Sequence, residues 1–180
     1  MPRFTRALPL VLLLLAASAA GVSAKKPTKV PKLKNTTIVE GQSLGGVELG
    51  GSKTSAVKAW GKPGRCVAGS CYWPNYTGGL SITIVGGKIV ELDAGISPGM
   101  APNIRARVLP LHTRAGVKLR DAYDKVKQTY PDAKSFSVGT ETTSQALELL
   151  SGSSYTDFFF DANRRLRKIS VSTQSAAHPL

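Results

Sequence analysis

Shifted against itself by 70 residues, the chain repeats an apolar signature. Gly46-Val47, Leu49 and Trp60 recur as Gly116-Val117, Leu119 and Tyr130, while Ala56 meets Val126 and Ile38-Val39 meets Val108-Leu109. Each copy carries Gly-Val-x-Leu, ten residues, then a large aromatic. A period of this length implies two supersecondary units of one design. In the second copy Leu119, Tyr123, Val126 and Tyr130 stand at i, i+4, i+7 and i+11, an apolar stripe at helical period. Asp121 is placed to cap that helix and Pro131 to stop it. In the first copy Leu49, Ala56, Val57 and Trp60 give a weaker stripe, with Ser52 as cap and Gly61 and Pro63 as stop.

Short β segments follow each helix. The first copy offers residues 65–67, 71–73 and 80–85, a Gly86-Gly87 turn, and 88–93. The second offers 135–138, 145–150 and 155–161, a turn at Ala162-Asn163, and 165–172. Alternation such as Leu80-Ser81-Ile82-Thr83-Ile84 is the period of a half-buried strand. The expectation is therefore an α+β fold of two tandem repeats, each a helical N-terminal segment packed on a small antiparallel β-meander. The units span residues 37–94 and 108–173, joined by a Pro- and Gly-containing linker at 95–107 and followed by a tail at 174–180. A unit of roughly 60 residues with one helix on one sheet face is marginal alone. Either the two pack together or each free sheet face is put to use.

The N-terminus reads as an export signal. Arg3 and Arg6 precede an uncharged run from Leu8 to Ala20, and Val22-Ser23-Ala24 offers a small-x-small cleavage site. The apolar stretch is nearer a dozen residues than the roughly 20 of a membrane helix. A signal peptide over residues 1–24 is expected, with no transmembrane segment after cleavage. Without Arg3 and Arg6 the chain keeps 22 basic residues against 11 acidic ones, a net charge of +11. Five of the cations are Lys25, Lys26, Lys29, Lys32 and Lys34, spaced by Pro27 and Pro31 in an arm over residues 25–36. Lysine and proline together disfavour packing. The arm is either a spacer or an electrostatic tether to an anionic cell-surface polymer. Export and the lack of a nucleic-acid-binding motif argue against nucleic acid as a partner.

Cys66 and Cys71 are the two cysteines. In an exported protein a close pair is a disulfide, and this spacing suits a hairpin with residues 67–70 as the connection. Neither a base nor further metal ligands lie nearby in sequence, which argues against a catalytic or zinc-binding pair.

Gly46-Val47-Glu48-Leu49-Gly50, Ser52, Val57, Trp60-Gly61-Lys62-Pro63 and the Cys66/Cys71 hairpin together resemble one repeat of the β-lactamase inhibitory protein. They also resemble the related SmpA/OmlA-type outer-membrane assembly lipoproteins. The resemblance covers residues 37–94 and 108–173 and implies a secreted scaffold whose sheet surfaces bind a protein partner. It does not imply that the partner is a β-lactamase. The second copy lacks cysteines, no lipidation cysteine is present, and the lysine arm belongs to neither pattern.

Polar groups that could converge for catalysis are sparse. His112 stands beside Pro110 and His178 near the C-terminus, without metal-ligand spacing around either. No Gly-x-Ser-x-Gly elbow or Ser-x-x-Lys context occurs, and Asp121 and Asp124 read as first-turn helix residues. Glu91 and Asp93 alternate on one strand face and read as solvated. No enzyme activity, cofactor or metal is expected. The aromatics are more suggestive. Tyr72, Trp73 and Tyr76 follow the disulfide hairpin, and Tyr155 and Phe159 point opposite to the core-facing Phe158 and Phe160. These five residues are the candidate partner-binding set, with packing of Trp73 and one tyrosine into the core as the competing reading. The functional expectation is a secreted, non-catalytic binding module, inhibitory in its narrower form. A structural envelope component held by the basic arm is the alternative.

Overall fold

The computed structural model describes residues 33–75, 78–96, 110–138 and 145–177. The expected signal peptide, Tyr76, most of the basic arm and most of the linker lie outside these residues.

Strand pairing dominates. A four-stranded sheet runs in the order β3-β2-β1-β8, built from β1 (Thr37–Val39), β2 (Ser43–Leu44), β3 (Val47–Glu48) and β8 (His112–Thr113). The remaining strands form one antiparallel sheet. They are β4 (Arg65–Val67), β5 (Ser70–Asn75), β6 (Gly78–Val85), β7 (Lys88–Ile96), β9 (Lys134–Ser137), β10 (Gln145–Ser151), β11 (Ser154–Phe160) and β12 (Leu166–Ser172). Its order is β4-β5-β6-β7-β12-β11-β10-β9.

This corrects the expected architecture. The strands form close to where alternation placed them, but the protein is mostly β and does not divide into two helix-on-meander units. β7 pairs with β12 over Lys168↔Gly95 to Ser172↔Glu91, so eight strands make one sheet. The physical reason is edge satisfaction. Two separate meanders would each leave a long edge strand with unpaired N–H and C=O groups, and joining β7 to β12 removes both edges at once. The small sheet binds the halves together again, since β1 pairs in parallel with β8. Gly41 N–H donates to Thr156 Oγ1 at 2.8 Å, a buried contact. β7 also continues to Ile96, two residues into the expected linker.

The helices are short. α1 (Lys53–Trp60) begins at a capping box in which Ser52 and Ser55 satisfy each other's backbone N–H, and ends at Gly61. α2 (Tyr123–Thr129) has Ala122 at its N-cap, with no side-chain cap. Asp121 instead accepts from Lys118 N–H (2.9 Å) and pairs with Lys125 (2.8 Å). Leu49 and Leu119 lie before the helices rather than within them. Helices of about two turns are unstable alone, so packing must hold them. Trp60 meets Trp73 edge-on at 5.1 Å, Tyr123 meets Phe160 at 5.0 Å, and Tyr130 stacks on Phe158 at 5.2 Å. Both helices and the small sheet thus share one core against the inner face of the large sheet, with Ile38, Leu44, Leu92, Leu147, Phe158 and Ile169 at its centre.

Candidate functional site

Side chains alternate along each strand, so cross-strand partners stand on one face. Inner-face partners Trp73, Leu80, Ala94, Ile169, Phe158 and Leu147 are all buried in the core. Moving one residue along each strand gives the outer face. Across it, one register row reads Arg65, Tyr72, Ser81, Asp93, Ser170, Asp157, Glu148, Lys134. The row on one side of it reads Thr83, Glu91, Ser172, Tyr155, Leu150. On its other side Gly95, Lys168, Phe159, Ala146 and Phe136 line up. The centre of the outer face is therefore polar, with aromatics at its flank.

The carboxylates differ sharply in partners. Asp93 accepts from Ser81 Oγ (3.0 Å) and pairs with Lys168 Nζ at 2.9 Å. Glu91 accepts from Thr83 Oγ1 (2.9 Å) and Ser170 Oγ (3.3 Å), with Lys168 Nζ at 3.9 Å. Glu148 is held by the C-terminal segment: its Oε2 accepts from Ser175 Oγ (2.6 Å) and from Ala177 N–H (3.3 Å). Residues 174–177 thus turn back onto the sheet.

Asp157 is the exception. Its residue is 1% exposed, and Oδ1 has no hydrogen-bond partner among the described residues. Its carboxyl is pushed up to about 7, first by burial and next by the neighbouring Glu148 charge; Lys168 opposes the rise, and Glu91 and Asp93 add to it. Two acids directly opposite on adjacent strands repel when both ionise, so a proton on Asp157 relieves the pair. Tyr130 is also shifted upward, first by burial and then by its hydrogen bond to Glu40, but it lies on the core side. No group of three or more His, Cys, Asp and Glu side chains able to hold a metal forms among the described residues.

The expected binding residues separate. Cys66 and Cys71 form the disulfide, opposite one another on β4 and β5. Trp73 does not reach the surface. It is 2% exposed, packs on Trp60 and donates through Nε1 to Gly61 O at 2.8 Å, so it belongs to the core. Tyr76 lies outside the described residues. Tyr72, 36% exposed, stands on the outer face with the Arg65 guanidinium 5.0 Å from its ring. Tyr155 and Phe159 share that face, half-buried, with Phe159 edge-on to Phe136 at 6.3 Å and 5.1 Å from Lys168 Nζ. Tyr72 and Tyr155/Phe159 sit on β5 and β11, four strand spacings or about 19 Å apart, with the acidic row between them.

Sequence reasoning missed Glu148, Asp157, Lys168 and Ser170 as members of one site. The signal was present as charges interrupting apolar runs, Leu147-Glu148-Leu149 and Thr156-Asp157-Phe158; the β10–β11 register sets these two acids opposite one another, and the β7–β12 pairing brings Glu91 and Asp93 onto the same face.

No family model and no curated protein matches the chain. Among solved structures it is similar to an extracellular protein containing an SCP domain from Bacillus anthracis str. Ames, at 13% identity and a TM-score of 0.44. It is also similar to a cysteine-rich secretory protein from Staphylococcus aureus subsp. aureus Mu50, at 13% identity and a TM-score of 0.43. The alignments cover 69% and 70% of this chain, and the chain spans 43% of the length of each of those proteins. Likeness at this level assigns neither an activity nor a partner. No described helix is long and apolar enough to cross a membrane.

Proposed function

We propose that this is an exported, non-catalytic binding module that holds a macromolecular partner on the outer face of its eight-stranded sheet. The observation that carries the reading is asymmetry between the two faces. The inner face is covered by α1, α2 and the small sheet. No described helix or strand packs on the outer face, where residues 174–177 turn back over Glu148 and Tyr155, Phe159 and Phe136 stand half-buried. Aromatic side chains bury much area for little lost entropy, which suits them to anchor a partner. Inhibition of an extracellular enzyme is the narrower form of the proposal and rests on the resemblance to the β-lactamase inhibitory protein alone.

The test is capture from native culture medium followed by titration of the captured partner. Tyr155→Ala and Phe159→Ala should each weaken binding by about 2 kcal/mol if they are anchors, with melting temperatures close to wild type. Variants that lose stability and affinity in step, or bind as wild type, refute the outer face as the binding surface.

A further inference from the structure

Among the described residues, the outer face carries a concentration of acid that the rest of the fold does not share. The chain has 11 acidic residues against 24 basic ones, yet four acids, Glu91 and Asp93 on β7, Asp157 on β11 and Glu148 on β10, share one face within four neighbouring strands. Among the described residues only Lys168 is ion-paired with any of them, and it reaches Asp93 and Glu91. Glu148 is satisfied by neutral donors, and the buried Oδ1 of Asp157 has no partner among the described residues. A buried carboxyl oxygen without a donor is destabilising, and no donor among the described residues offsets it.

We propose that this cluster is a receptor site for a cationic side chain, a guanidinium or primary ammonium presented by the macromolecule that the outer face binds. The inference rests on the outer face being the binding surface and names the chemistry it selects. A guanidinium that displaces residues 174–177 from Glu148 fits, because its fixed fork of donors can serve two carboxylates on adjacent strands, as the buried Glu148 and Asp157 are. The aromatic flank adds a second attraction. Lys168 Nζ already lies 5.1 Å from the Phe159 ring, so a cation entering beside it would find both a carboxylate and an aromatic face. A metal ion is the poorer fit, since the described carboxyls do not converge on one point.

Entry of a cation favours ionised Asp157, so binding must take up the pH dependence of that group. The charged groups around it are Glu148 on β10, Lys168 on β12, Glu91 and Asp93 on β7, and Lys134 opposite Glu148 on β9. As pH rises through about 7 the proton leaves Asp157, and the site gains a negative charge to offer.

The test uses the full chain with two probes: tri-arginine amide, and tri-citrulline amide, which keeps size and hydrogen-bonding groups but lacks charge. The protein's own net charge of +13 repels tri-arginine, so general electrostatics cannot imitate the expected result. At pH 8 and low salt, tri-arginine should shift the NMR amide signals of Asp93, Glu148 and Asp157, and tri-citrulline should not. Binding at pH 5.5 should be roughly tenfold weaker, because the proton on Asp157 then competes with the probe. Asp157→Asn should abolish that pH dependence, and Glu148→Gln should weaken binding at pH 8 roughly tenfold, both with native-like spectra. Failure of tri-arginine to bind, equal binding at both pH values, or unchanged binding by both variants overturns the inference. A captured partner that depends on Tyr155 and Phe159 but not on Asp157 or Glu148 removes this site and leaves the binding surface standing.

Discussion

Replacing Asp157 by asparagine should make the protein more stable at pH 8 and leave it nearly unchanged at pH 4. The folded-state carboxyl titrates near 7, raised from an ordinary 3.8 first by burial and then by Glu148. Below 3.8 both the folded and the unfolded chain bind the proton, so no pH-linked cost exists there. Between about 4 and 7 only the folded chain holds it, and stability falls as pH rises. Above 7 both states have lost it and the cost is constant. A gap of roughly three pKa units corresponds to about 4 kcal/mol, an upper bound because water entry and relaxation soften the site. Asparagine keeps the shape and a donor but never ionises, so the difference between variant and wild type isolates this group from every other titration. That difference should grow by about 2–4 kcal/mol from pH 4 to pH 8, or roughly 5–15 °C in melting temperature. Calorimetry across this range measures it, and carbon-13 NMR of the Asp157 carboxyl gives the midpoint directly. A difference that stays flat with pH, or that turns in favour of wild type as pH rises, refutes the buried neutral acid.

Gly41 has φ +68°, and a Cβ built there would sit 2.6 Å from Ser151 Cβ. Gly41→Ala should cost about 2–3 kcal/mol in urea denaturation; Gly50→Ala, at φ +74° with open space around it, should cost about 1 kcal/mol, and equal losses would disprove the clash. Removing the disulfide by Cys66→Ser with Cys71→Ser should lower stability by about 2 kcal/mol, because the closed loop is short, with a sequence separation of 5. The large sheet should survive that change, since β5 retains its pairing with β6; loss of the far-ultraviolet β signal at room temperature would contradict this.

What the sequence disclosed was local. Ser52 and Gly61 bounded α1 because caps are set by the residues at a helix end. Cys66 and Cys71 could be paired because a hairpin brings near neighbours together. Phe158 and Phe160 were separable from Phe159 by alternation alone. Asp121 shows the limit of such reading: a side chain in the right place for a cap found Lys118 N–H and Lys125 instead. Trp73 shows another: expected among the partner-binding aromatics beside the disulfide hairpin, it turns inward on Trp60. The larger miss has a single cause. Strand alternation gives two faces for each strand but not which strand lies beside it, and β7 and β12 are joined through residues far apart in the chain. Taken as separate sheets, Glu91 and Asp93 read as solvated charges on one strand face, in a different sheet from Glu148 and Asp157. The five register pairs between β7 and β12 put Glu91 and Asp93 on the same face as Asp157 and Glu148, and a buried acid among other acids becomes the feature that distinguishes the outer face. The same pairing that satisfies the backbone therefore concentrates the charge, while the cost of Asp157 comes first from its burial and next from Glu148 on the neighbouring β10.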